Sequence, residues 1–340
     1  MKVVIIAAIL LTVFAMLTPC LVLGAPLEQE IEPDTQYTPE NTERPESNTA
    51  HETLTPVSGC DVNVLMGDET VVMDIEKYLV GVVAGEMPVT FEEEALKAHA
   101  AAARTYTLYK LWVEPSDNHD ADVCTDPGCC KAYSDETMLR EKWGDEFEAN
   151  IAKIEMAVWE TQGMYMVYDG EPVLAVFHSS SSGATENSGN VWNRDVPYLV
   201  SVLSPEGSDE VTNYITTTEV SYDEFKNTVL ENYPEADFSS SEQDWVTDIV
   251  YSESGRINSA VIGGVEIPGT EIRSMFSLRS TAVSVAMGAK GVVFTVTGYG
   301  HGVGMSQYGA NCLAKEGKTW QEILRWYYSG VDFASMLTSI

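Results

Sequence analysis

Apolar positions cluster at the start of the chain, then vanish, then return as short periodic segments. Residues 3–25, VVIIAAILLTVFAMLTPCLVLGA, carry no charge, and a helix of that length spans a hydrocarbon core of ~30 Å. Lys2 precedes it and an acidic stretch follows. That asymmetry predicts a single-pass anchor over residues 1–25, with the bulk of the chain outside the cytoplasm. A cleaved signal peptide ending near Gly24-Ala25 is the competing reading; the apolar run is long for one. Residues 26–58 are rich in Pro, Glu, Thr and Asn and poor in large apolar side chains. Such a composition does not offset its ordering entropy and reads as a disordered acidic tether.

From residue 59 to 340 the periodicity predicts one folded domain. DVNVLM and ETVVMDI read as strands about Gly67-Asp68, and residues 76–87 as a short helix halted by Pro88. Residues 92–112 are strongly helical, with acids in the first turn and cations later, as the helix dipole prefers. A polar, cysteine-containing loop covers 114–134, and a helix is expected across 146–162. GMYMVY and EPVLAVF flank Asp169-Gly170 as a hairpin, followed by a Ser/Gly/Asn-rich loop over 179–195. Beyond it the pattern gives a helix near 221–232, a hairpin turning at Ser254-Gly255, and a short helix at 269–276. Two strands then lead into a glycine-rich turn and two last helices. With no regular strand–helix alternation, the expected class is α+β, antiparallel sheet mixed with helices.

Composition narrows the function. The chain has 19 Lys plus Arg against 52 Asp plus Glu, a formal charge of −33, which argues against nucleic acid as a partner. Glu86 stands alone in GEMP among small and apolar neighbours. A carboxyl partly removed from water tends to keep its proton, the property a general acid needs. The trio Glu92, Glu93 and Glu94 reads instead as helix-start electrostatics. His119, Cys124, Cys129 and Cys130 fall within twelve residues; imidazole and thiolates suit tetrahedral Zn²⁺, while exported cysteines also form disulfides. The serine run at 179–182 lacks the Gly-x-Ser-x-Gly elbow of a serine nucleophile. The glycines of GYGHGVGMSQYGA lack the spacing and lysine of a phosphate loop.

Four ordered blocks carry a resemblance: EKYLVGVVAGEMP, EALKAHAAAARTYTLY, FHSSSSGATENSGNVWNRDVPYLVSV and GYGHGVGMSQYGANCLAKEGKTWQEILRWYYSGV. Together they resemble the stage II sporulation protein D family across residues 76–331. The resemblance implies a lytic transglycosylase of peptidoglycan, held in the mother-cell membrane and acting on glycan strands during engulfment. It implies Glu86 as the catalytic acid. It points to Lys97 and Arg104 on the alanine helix, and to His178, Ser180, Ser181, Glu186, Asn187, Tyr198, His301 and Gln307, as substrate contacts. Glu186 is the most tempting second carboxylate. The resemblance also favours Zn²⁺ over a disulfide at His119, Cys124, Cys129 and Cys130, with Cys129 standing where the family usually has His. A cell-wall amidase-endopeptidase and a polytopic membrane protein are the implied partners. A wall-binding scaffold and a zinc-dependent wall amidase are the rival readings.

Overall fold

Asp74 ends one element and begins the next. β1 (Asp61–Met66) and β2 (Glu69–Asp74) pair antiparallel, with Met66 opposite Glu69. The Asp74 carboxylate then accepts the Glu76 N–H at 2.9 Å, a cap worth about 1 kcal/mol, and α1 (Ile75–Glu86) starts. It stops at Met87, whose extended backbone (φ −109°, ψ 136°) is what a residue before proline adopts. The computed structural model describes residues 59–336, apart from Asp117 and Asn193. The expected anchor and tether lie outside these residues. Among the described residues, no helix is long and apolar enough to cross a membrane.

α2 (Glu93–Trp112) is the centre of the first core. Ala95, Ala98 and Ala100 to Ala103 are all buried, so the alanine run permits close approach of neighbours as well as favouring helix. α1 packs on it. β3 (Val123–Cys124) lies parallel beside β1, with Val123 opposite Val64. An unforeseen α3 (Glu136–Trp143) precedes α4 (Phe147–Glu160), which also packs on α2. The expected hairpin forms about Asp169-Gly170 from β4 (Met164–Tyr168) and β5 (Glu171–Pro172). Its second strand is much shorter than expected, because Pro172 has no N–H to continue a ladder. The chain then reaches β6 (Phe177–His178), and the 179–195 loop contains a short α5 (Ser188–Trp192).

A second core is built entirely from residues 220–296. β7 (Ile215–Ser221) leads into α6 (Tyr222–Asn232). β8 (Val246–Tyr251), β9 (Ile257–Ile262) and β10 (Val265–Pro268) form an antiparallel sheet with β9 central. α7 (Gly269–Met275) links it to β11 (Val283–Met287) and β12 (Gly291–Thr297), and β12 pairs antiparallel with both β11 and β7. Aromatic rings hold this core: Phe225 is fully buried and stacks on Phe276 with centroids 5.0 Å apart. The chain then returns to the first core. β13 (Met305–Ser306) pairs parallel with β6, α8 (Gln307–Lys315) and α9 (Trp320–Tyr327) follow, and β14 (Asp332–Ser335) pairs with β4. The result is an α+β fold.

Candidate active site and metal-ligand cluster

The C-terminal end of α1, the N-terminal end of α8, β6 and the glycine-rich return segment 298–304 meet around a cleft of about 670 Å³. Alternate glycines let the return segment lie against the strand leading into β6. At Gly304 (φ +69°) an added Cβ would sit 2.2 Å from the Val176 carbonyl oxygen; at Gly300 (φ +113°) it would sit 2.7 Å from the His178 Cβ. No other L-residue fits such approaches at positive φ.

Glu86 is half-buried and lines the cleft. Its apolar neighbours Val82, Val83, Ala84 and Met87 are buried in the core. The carboxyl group itself meets polar donors: Oε1 accepts the Ala132 N–H at 2.8 Å, and Oε2 accepts the Gln307 amide at 3.2 Å. Next to Ala132, the Lys131 ammonium lies 3.8 Å from the Phe177 ring centroid and 4.1 Å from that of Tyr106. Burial pushes this ammonium down to about 8, while the Glu86 charge acts in the opposite direction. Glu114 is the other carboxylate on the cleft. Hydrogen bonds from Tyr109 and Arg194, both to its Oε2, hold it below the usual carboxylate range.

The two cleft histidines are locked as neutral tautomers. The Val303 N–H donates to His301 Nδ1 at 3.1 Å, so Nε2 bears the proton and donates to the Phe177 carbonyl at 2.9 Å. Burial pushes His301 down to about 3. His178 donates from Nδ1 to the Val303 carbonyl at 3.2 Å and accepts the Ser181 hydroxyl at Nε2, 2.7 Å away. Burial, with His301 and Arg256 nearby, lowers it well below the ordinary histidine value. With both nitrogens engaged, His301 presents its ring rather than an N–H, at 5.2 Å from the Trp192 ring.

Several expected substrate contacts lie elsewhere. Lys97 pairs with Glu94 at 2.8 Å and with Glu160, outside the cleft. Arg104 is fully buried, bonded to Glu76 at 2.5 and 2.9 Å and to the Met164 carbonyl at 3.0 Å. It holds α1 to α2 and orients no cleft group. Glu186 is 1% exposed. Its Oε1 accepts from Asn187 N and Asn190 Nδ2, and its Oε2 from the Ser252 and Ser254 hydroxyls, at 2.5 to 2.9 Å. It therefore fastens the 179–195 loop to the β8–β9 hairpin. Asn187 accepts the Ser201 N–H at 2.8 Å, and the Tyr198 hydroxyl accepts the Leu174 N–H at 2.8 Å. Ser180 and Ser181 are fully buried: Ser180 exchanges backbone hydrogen bonds with Tyr299, and the Ser181 N–H donates to Glu206 at 2.6 Å. Of the expected set, Glu86, His178, His301 and Gln307 share the cleft. Lys131, Trp192, Arg273 and Tyr299 share it too, and sequence reasoning passed over them. The adjacency of Lys131 to Cys130 was the one available signal.

His119, Cys124, Cys129 and Cys130 converge, with their ligand atoms all within 4.8 Å of one another. Cys129 Sγ is 3.9 Å from Cys130 Sγ, and Cys130 Sγ is 3.6 Å from His119 Nε2. A tetrahedron of ligands at ~2.3 Å from a zinc ion has edges of roughly 3.8 Å, so these donors fit. His119 Nδ1 lies 2.8 Å from the Ala121 carbonyl, which fixes the proton there and leaves Nε2 free to ligate. The three cysteines of the cluster, Cys124, Cys129 and Cys130, form no disulfide, so each could ligate as a thiolate.

Comparison with known proteins places the chain in a family. The family model described as stage II sporulation protein matches residues 67–168, which hold Glu86 and the cysteine loop. Stage II sporulation protein D of Bacillus amyloliquefaciens is 37% identical over 263 residues, covering 76% of this chain and 74% of its own. The protein of the same name from Bacillus subtilis (strain 168) matches with the same identity and coverage. An amidase enhancer of Bacillus subtilis (strain 168) is 30% identical over 304 residues, 76% of this chain and 40% of its own. At this identity, over about three quarters of both chains, the protein belongs to the stage II sporulation protein D family.

Proposed function

We propose that this chain is a peptidoglycan lytic transglycosylase, cleaving the bond between N-acetylmuramic acid and N-acetylglucosamine. The observation that carries the reading is Glu86: a cleft carboxyl oriented by two neutral donors, the Ala132 N–H and the Gln307 amide. These two bonds fix the direction of the carboxyl and leave accepting positions open toward the cleft, whereas Glu114 is already paired with Arg194. Protonated Glu86 gives its proton to the bridging oxygen as the C1–O bond breaks. The muramyl C6 hydroxyl then closes onto C1, and its proton returns to Glu86. The product is a 1,6-anhydro end, and the carboxyl is regenerated. One carboxyl suffices because the nucleophile belongs to the substrate; a hydrolase needs a second carboxylate to activate water or attack. The ammonium of Lys131, held between two rings on the cleft wall, offsets the charge on Glu86 between the two proton transfers.

His119, Cys124, Cys129 and Cys130 are proposed to hold a structural Zn²⁺, which would supply a rigid cross-link to the loop. The same loop runs directly into Lys131 and Ala132, so its placement sets the Glu86 donor. Four protein ligands leave no open coordination position, which disfavours a zinc amidase. The proposed setting is the outer face of the mother-cell membrane during engulfment, with a cell-wall amidase-endopeptidase and a polytopic membrane protein as partners. The test is digestion of purified glycan strands followed by mass spectrometry. Anhydro ends that disappear in Glu86→Gln are expected. Reducing ends lost in Glu114→Gln would replace the mechanism by a hydrolase, and bound but intact strands would favour a scaffold.

A further inference from the structure

Beside the cleft lies a second cavity of about 430 Å³. Arg273 and Tyr299 line both, so the two adjoin. The second cavity is lined by Thr270, Arg273, Ser274, Ser277, Leu278, Arg279 and Tyr299, and no carboxylate is among them. In a chain with 52 acids and 19 bases, two arginines facing one cavity without an acid is an unusual arrangement. Among the described residues neither takes part in an ion pair. Arg273 is braced by its Nε–H, which donates to the Leu278 carbonyl at 3.2 Å. Arg279 lies over the Tyr299 ring, its Cζ 4.2 Å from the ring centroid, and its Nε is buried without a hydrogen-bond partner. Tyr299 itself is 46% exposed and Trp192, on the cleft, 41%. Exposed rings of this kind suit the faces of sugars, and fixed guanidinium forks suit carboxylates.

We infer that Arg273 and Arg279 form an outer subsite that reads the carboxylate of a muramyl residue next to the one being cleaved. This rests on the glycan reading of the cleft. Every muramyl residue carries its lactyl group, which ends in a carboxylate on a bare strand or in the acidic stem peptide on a substituted one. A homopolymer of N-acetylglucosamine carries neither. The arginines belong to the second core and Glu86 to the first, so the subsite gives the inserted region a direct part in substrate choice.

Binding is measured with the full chain carrying Glu86→Gln, against bare glycan strands, peptide-bearing strands and neutral chitooligosaccharides of matched length. The expected result is a preference for muramyl strands of roughly tenfold, the scale of one charge-assisted hydrogen-bonded contact, weakening with added salt. Arg279→Gln and Arg273→Gln should collapse that preference, and Arg279→Lys should restore part of it. Dependence on the arginines with bare strands assigns the lactyl carboxylate; dependence only with substituted strands assigns the stem peptide. A preference unchanged in both glutamine variants, or an equal loss of muramyl and neutral polymers, overturns the subsite. Anhydro-end formation by the unsubstituted chain is scored separately. Its absence, with the arginine-dependent preference intact, would remove the reaction and leave the subsite.

Discussion

Glu86 ends α1 and Glu186 lies just before α5, and their surroundings separate them. A carboxylate has about four lone-pair sites. Glu186 fills them with two amide groups and two hydroxyls, away from solvent. Glu86 accepts two hydrogen bonds and faces the cleft. Glu186 has no capacity left for a substrate proton; Glu86 has. Unused hydrogen-bonding capacity at an accessible, oriented position is what separates the two.

The largest test of that contrast is the pair of amide substitutions. Glu86→Gln should lower anhydro-end formation by roughly 10²- to 10⁴-fold, the usual range for a general acid, with strand binding retained. Glu186→Gln turns acceptors into donors opposite Ser252 and Ser254. It should cost about 1–3 kcal/mol of stability, read as a lower melting temperature, with little change in rate per folded molecule. Loss of activity in Glu186→Gln at an unchanged melting temperature would break the comparison. Arg104→Ala extends the contrast to cations. It leaves the Glu76 charge buried and unpaired, at about 3–5 kcal/mol. Lys97→Ala removes two part-exposed pairs, with Glu94 and Glu160, and should cost no more than ~1 kcal/mol. Equal losses in chemical denaturation would contradict the assigned burial.

Cys130→Ser, or chelation, probes the route from the cysteine loop to Glu86. If a metal pins that loop, either treatment should reduce activity by roughly 10- to 100-fold and lower the melting temperature together. Activity that survives with the chelated metal recovered in solution would uncouple the cluster from the cleft.

Local pattern made some of this legible. GEMP isolates Glu86, the alanine run marks α2, and the spacing of His119 and the cysteines marks the cluster. Depth was not legible. Lys97 and Arg104 are two helical turns apart on one face, yet the Lys97 side chain is 14% exposed and that of Arg104 0%, because Lys97 lies near the start of α2 while Arg104, at its middle, is covered by α4 and β4. β7, ITTTEVS, has few large apolar residues and forms against β12, so its strand character comes from a long-range partner. Lys131 and Arg273 reach the cleft through packing between segments far apart in sequence, which no local period encodes.

Burial without partners extends the contrast with Glu186 to the dependence on pH. His99 is fully buried on α2, its ring 4.3 Å from Phe177, and neither nitrogen has a hydrogen-bond partner. Burial pushes it down to about 3, with Lys131 adding to the shift. The folded state therefore refuses a proton that the unfolded chain accepts below its ordinary value of ~6.5. Stability is fully present above that value and falls with pH from about 6.5 toward 3, because the unfolded state binds more protons across that window. One pH unit into the window costs about 1.4 kcal/mol per such histidine. His301, also pushed down to about 3, contributes with the same sign. In His99→Phe the ring contact with Phe177 is kept and the titration removed. Its stability loss between pH 7 and 5.5 should be smaller than that of the unsubstituted chain by about 1.4 kcal/mol. Equal pH slopes for the two proteins would mean that His99 gains a proton, or a partner, without unfolding.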